Sequence, residues 1–175
     1  AVLPINRLLY QLDPGFVSEA LKRLTDHFEI TKYNNLSQLK EELEKFSDKQ
    51  PAFGVYTGNQ DYRLVLAPTS NPNGPRLDQL DVKILHDQII NKFFGVDVTI
   101  PKDQEKISYK ANTDQTIEMV RSGDYQIAFL MNPTSVNHVH EVALDGKTMP
   151  QKSTFFYPKL ATGITFNLLN SPIIN

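Results

Sequence analysis

No cysteine occurs among the 175 residues. A disulfide framework, a thiolate metal site and a cysteine nucleophile are therefore excluded, and a reducing cytoplasm is the expected compartment. No run approaches the roughly 18 apolar residues of a membrane-spanning helix, and the N-terminus lacks the charged-then-apolar order of a secretory signal. No membrane partner is expected. Lys and Arg form no cluster: 18 of them stand against 20 Asp and Glu, for a formal charge of −2. That balance argues against nucleic acid as a partner of this segment. An initiating methionine is also lacking, and Val2-Leu3-Pro4-Ile5-Asn6-Arg7 reads as the interior of a folded unit. The expectation is one domain over 1–175 forming the C-terminal part of a longer protein.

What is present is globular: 40% hydrophobic and 22% charged residues supply a core and a solvated surface. After a short opening strand, Pro14-Gly15 breaks the chain. Phe16, Val17, Ala20, Leu21 and Leu24 then recur at helical spacing over about 16–26. A strand near Phe28–Thr31 leads to a second helix with Leu36, Leu39, Leu43 and Phe46 on one stripe and Asn35 or Ser37 as cap. Ala52–Thr57 and Tyr62–Ala67 flank Gly58-Asn59-Gln60-Asp61 as an antiparallel hairpin. Pro68 to Pro75, with three prolines and a glycine, is the strongest loop. A long helix follows from Leu77 to Phe93, closed by Gly95.

Val96–Ile100 and Lys106–Tyr109 read as short strands. Thr113 or Asp114 reads as the cap of a helix ended by Gly123, and Tyr125–Met131 as a central strand. Asn132-Pro133 reads as the start of a helix running to Gly146. Thr154–Tyr157 and Gly163–Leu168 complete the strands. The expected fold is mixed α/β: a partly antiparallel sheet of about five to seven strands with helices packed on it.

Few residues carry chemistry. Gly146-Lys147-Thr148 resembles the end of a P-loop, but the motif needs glycine where Glu141 stands, so Gly146 is read as a helix C-cap. His138 and His140 lie about 200° apart around a helix and cannot share a metal by themselves; no metal site is expected. His27 and His86 are solitary and read as surface or satisfied semi-buried side chains. The carboxylates Glu41, Glu42, Glu44 and Asp124 lack a recognisable partner, and no catalytic residue or cofactor is picked out. Two segments stand apart. Asn132-Pro133-Thr134 falls where an apolar strand passes into a helix N-terminus, whose free N–H groups suit an anion, the alternative being a plain N-cap. Lys152, Ser153, Thr154 and Lys159, interleaved with Phe155, Phe156 and Tyr157, combine cations, hydroxyls and rings that suit a small phosphorylated or nucleotide ligand. The alternative for the latter is a strand whose rings fill the core while its lysines stay wet.

Asp114-Gln-Thr-Ile-Glu-Met-Val, Ser122-Gly123-Asp124-Tyr125 through Asn132-Pro133-Thr134, and Met149-Pro150-Gln151-Lys152-Ser153-Thr154-Phe155-Phe156-Tyr157-Pro158-Lys159-Leu160-Ala-Thr162-Gly163 together resemble the C-terminal signature of the domain-of-unknown-function family 1015. Leu3-Pro4-Ile5-Asn6-Arg7 and Leu80-Asp81-Val82 to Leu85-His86 fall where that family has similar patterns. The resemblance implies a protein about twice as long, whose upstream half carries an Asp-Gly-His-His-Arg motif similar to one in ParB-like proteins and free-serine kinases. That motif is not in this chain. Two functions follow as expectations. One is the C-terminal domain of a cytoplasmic kinase-like enzyme acting on a small hydroxylated metabolite, partnered by the upstream half and inactive alone. The other is a non-catalytic binding or assembly domain of a ParB-like regulator.

Overall fold

The computed structural model describes residues 1–68 and 74–159. Eight strands are present among them: β1 (Val2–Leu3), β2 (Asn6–Leu9), β3 (Glu29–Tyr33), β4 (Ala52–Tyr56), β5 (Tyr62–Leu66), β6 (Ile107–Lys110), β7 (Ile127–Met131) and β8 (Phe155–Phe156). Six of them form one sheet in the order β3-β5-β4-β7-β2-β6, and β1 pairs with β8 in a separate two-stranded ribbon. Every pairing is antiparallel, so the sheet is more uniform than the partly antiparallel one expected. The apolar strand read as central is β7, fully buried between β4 and β2.

Helices cover both faces, which is why β2, β4 and β7 are buried along their whole length instead of alternating. On one face lies α1 (Pro14–Thr25), whose Val17, Ala20, Leu21 and Leu24 follow helical spacing into the core. Asp13 caps it by accepting from the Phe16 amide at 3.0 Å, so Pro14 begins the helix instead of breaking the chain before it. Beside α1 runs a helical rod over 81–94: α3 (Asp81–Ile84), a π-helical segment (Leu85–Asn91) and α4 (Lys92–Phe94). A 3₁₀ turn at Arg76–Gln79 precedes it, and Gly95 closes it at φ 64°. The rod inserts Ile84, Leu85, Ile89, Phe93 and Phe94 into the same core.

The opposite face carries α2 (Leu36–Lys45), capped by Asn35 through the Gln38 amide, and α6 (Thr113–Arg121). Leu39, Leu43, Ile117 and Val120 pack there on Leu64, Ala128 and Leu130. Gly54 permits the close approach of α2: a Cβ at this position would lie 3.0 Å from Leu130 Cβ and 3.2 Å from Leu39 Cδ2. Two short elements complete the description, α5 (Pro101–Gln104) and α7 (Val136–Leu144), the latter adding Val142 to the first core. No helix among the described residues is long and apolar enough to cross a membrane.

Three local expectations are corrected. The cap of α6 is Asn112, whose side chain accepts from the Gln115 amide at 2.9 Å, and Thr113 is already helical. Val96–Ile100 forms no strand, because the Asp97 carboxylate accepts from the Thr99 amide at 2.8 Å and turns the chain into α5. Asn132-Pro133 does not start a helix: Asn132 Nδ2 donates to the Leu43 carbonyl at 2.8 Å, and α7 begins at Val136 with Ser135 as its cap. Residues 69–73 of the Pro68–Pro75 loop, the strand read at Gly163–Leu168 and the end of the signature from Leu160 lie outside the described residues.

Candidate functional site

The most unusual position in the sheet is Arg7. In β2 it stands between Tyr109 of β6 and Phe129 of β7 by strand register, on the face covered by the 81–94 rod, and its side chain is 1% exposed. A guanidinium removed from water needs its donors filled. Nη2 donates to the Lys152 carbonyl at 2.8 Å and Nε to His86 Nε2 at 3.2 Å; Nη1 meets the Ile5 carbonyl and the Met131 sulfur. Among the described residues no carboxylate pairs with it. Burial pulls its pKa down to about 10, against the opposing effect of Tyr109, which still leaves it cationic at neutral pH.

His86 projects from the π-helical segment. Its Nε2 accepts from Arg7, so the ring is neutral with the proton on Nδ1. Burial first, and the Arg7 charge second, push its pKa down to about 4, with Asp87 opposing. The bond and the protonation state agree: a protonated His86 could not accept from Arg7.

The Arg7–Lys152 bond fixes the backbone of the loop over 149–154. Lys152 adopts left-handed backbone geometry at φ 57°, the Ser153 hydroxyl donates to the Pro150 carbonyl at 2.6 Å, and the Thr134 hydroxyl donates to the Ser153 carbonyl at 2.7 Å. With its backbone tied at two points, the loop leaves the Lys152 side chain exposed, its Nζ 5.9 Å from the centroid of the Tyr109 ring. The Arg7 guanidinium carbon lies 5.6 Å from the same centroid. Two cations thus share one phenol ring, each drawn to its negative face, and Lys152 also has no ion-pair partner among the described residues.

The residues singled out in the sequence are brought together only in part. Thr134, Lys152 and Ser153 form one constellation, with Ser153 buried and Thr154 half-buried beside it. Lys159 is exposed and lies over Phe155, Nζ to centroid 4.5 Å, while Phe156 and Tyr157 point outward and fill no core. Asn132 lines a small cavity of about 10 Å³ together with Ser47, Asp48, Asp81, His138 and Thr134 itself, the room of about one water. That setting is acidic. Burial, then the Asp48 charge, push the Asp81 carboxyl up to about 7 despite Arg76. His138 Nε2 lies 3.7 Å from Asp48 Oδ1, and no group of three or more potential ligands among the described residues could hold a metal. Sequence reading passed over Arg7 and Tyr109. The available signal was Ile5-Asn6-Arg7-Leu8-Leu9, a cation inside an apolar run that is buried on both faces.

No family model matches the chain and no curated protein matches it. Solved structures share its fold. A free serine kinase variant in complex with AMP aligns over 89% of this chain at 17% identity and a TM-score of 0.50. A conserved hypothetical protein from Pyrococcus furiosus aligns over 88% at 16% identity, also with a TM-score of 0.50. The chain spans about half of each, 53% and 54%.

Proposed function

We propose that this chain is the C-terminal part of a larger kinase-like protein and that its signature loop receives the phosphate of a small phosphorylated or nucleotide ligand. The observation that carries the reading is the shared Tyr109 ring: Lys152 at the surface and Arg7 beneath it, two cations without a carboxylate. An anion approaching Lys152 meets two cations that no carboxylate pairs with among the described residues, in surroundings where burial strengthens the field. Three segments of the family 1015 resemblance meet here through Arg7, His86 and Lys152, and Thr134 ties in a fourth. Ser153 and Thr154 add hydroxyls, and Lys159 lies further along the same segment. Asn132, beside Asp48 and Asp81, serves the backbone instead of the ligand. The structural neighbour that binds AMP fits this reading.

In this proposal the phosphate chemistry belongs to an upstream half and the present chain transfers none alone. The test is titration calorimetry of the full chain with AMP, ADP and pyrophosphate. Lys152→Gln is expected to weaken binding about tenfold, the loss of roughly 1.4 kcal/mol, at unchanged melting temperature. Unchanged affinity in both Lys152→Gln and Lys159→Gln would return the loop to a structural role, as in a non-catalytic ParB-like domain.

A further inference from the structure

At the other end of β7 lies a groove of about 860 Å³. One wall is a single stripe of α1, where Val17 and Leu21 alternate with Ser18, Lys22 and Thr25. The β4–β5 turn and the adjoining Lys32 and Arg63 form a second wall, and Val120, Arg121 and Tyr125 close the third. Four cations line this space against one carboxylate, Asp61, in a chain whose formal charge is −2.

The charges are not equally committed. Arg63 is held by Asp61, Nη2 to Oδ2 2.6 Å, and Arg121 pairs with Glu118 at 2.7 Å. Lys22 and Lys32 are exposed and have no ion-pair partner among the described residues. Lys32 moreover stands directly opposite Arg63 in the strand register, a like-charge pairing that disfavours the sheet. The turn is strained as well: Gly58, Asn59 and Gln60 take φ of 86°, 49° and 60° in succession, a run that only surrounding structure sustains. Asp61 sustains it, receiving Thr57 Oγ1 at 3.2 Å together with the Arg63 fork.

We infer that this groove is a second binding site, for a nucleotide-sized organic phosphate whose phosphates lie between Lys22 and Lys32 and whose apolar or planar body rests on the exposed Pro14 and the half-buried Tyr125. The groove's volume exceeds what a lone phosphate needs and falls in the range of small-molecule sites. An anion between the two lysines adds to the counter-charge of Asp61, which is already engaged by Arg63 and Thr57. The site is independent of the signature loop, because Tyr125 and Gln126 precede β7 whereas Met131, which touches Arg7, ends it.

The experiment uses ATP as probe on the full chain carrying Lys152→Gln, so that the signature loop contributes least. Titration calorimetry is expected to show binding that weakens with salt and that falls at least about tenfold when Lys22→Gln and Lys32→Gln are added. Both lysines are exposed and Lys32 faces Arg63, so the melting temperature should not fall. Adenosine should not bind, and tripolyphosphate should bind several-fold more weakly than ATP. Absence of ATP binding in the Lys152→Gln chain, or affinity unchanged by the two added substitutions, overturns the site. Equal affinity for ATP and tripolyphosphate overturns the seat assigned to the organic body.

Discussion

Arg7 in the second strand donates through Nη2 to the backbone carbonyl of Lys152 at 2.8 Å, across 145 residues of sequence. A buried side chain thereby fixes a surface loop, and the fork geometry is what lets one residue also serve His86. Arg7→Lys keeps the charge but cannot reach these acceptors together. It is expected to lower stability by about 2–4 kcal/mol in urea unfolding and to speed amide exchange over 150–154. Stability within 0.5 kcal/mol of the wild type, by the usual measure of a neutral surface change, would remove Arg7 from this role.

His86 makes stability depend on acidity. Its folded pKa, about 4, lies below the ordinary 6.5. As pH falls from 6.5 to 4 the unfolded chain takes up a proton that the native state refuses. The contribution is full above 6.5 and is lost on the way down to 4, by about 3 kcal/mol. His86→Gln should show a shallower loss over this window than the wild type in denaturant titrations at several pH values.

Asp81 acts with the opposite sign. Its folded pKa, about 7, lies above the ordinary 3.8, so the native state holds a proton that the unfolded chain has released. Stability therefore declines as pH rises from 3.8 to 7, by about 4 kcal/mol. In Asp81→Asn that decline should vanish. Because the two windows overlap, the single variants should tilt the stability profile in opposite directions between pH 4 and 6.5, and parallel profiles would refute both assignments.

Gly54→Ala places a methyl 3.0 Å from Leu130 Cβ and 3.2 Å from Leu39 Cδ2. The expected cost is about 1–3 kcal/mol. Alanine at 130 would keep the Cβ at 3.0 Å, but alanine at 39 removes the Cδ2 at 3.2 Å, so the double variant Gly54→Ala with Leu39→Ala should lose less than the sum of the singles, measured as a thermodynamic cycle.

Most elements were legible because their local chemistry and tertiary setting agree. The stripe Val17, Ala20, Leu21, Leu24 points one way whether read as a period or as packing, and the Asn35 oxygen accepts from the Gln38 amide as its position before the helix suggests. Misreadings arose where a distant group won. Asn132 looks like a cap in sequence, but the Leu43 carbonyl, 89 residues away, takes its amide. Arg7 was illegible as a site residue because a lone cation in a strand normally marks a wet face; only the pairing of β2 between β6 and β7 shows that it has none. The Lys152 segment was noticed for its composition, but what orients it, the bonds from Arg7 and Thr134, is invisible to any local window.

The sheet order β3-β5-β4-β7-β2-β6 also constrains how the chain is built on the ribosome. The segment of β3, β4 and β5 is made of neighbours in sequence and can assemble as soon as residue 66 has emerged. β2 is made before all of them, yet both of its partners, β6 and β7, are translated last. Through roughly a hundred residues of elongation, several seconds at ordinary rates, Asn6–Leu9 has neither of the strands it pairs with. Arg7 at its centre, not buried until β6 and β7 pair, places a charge in this apolar segment, the kind of device that discourages pairing with a neighbouring nascent chain.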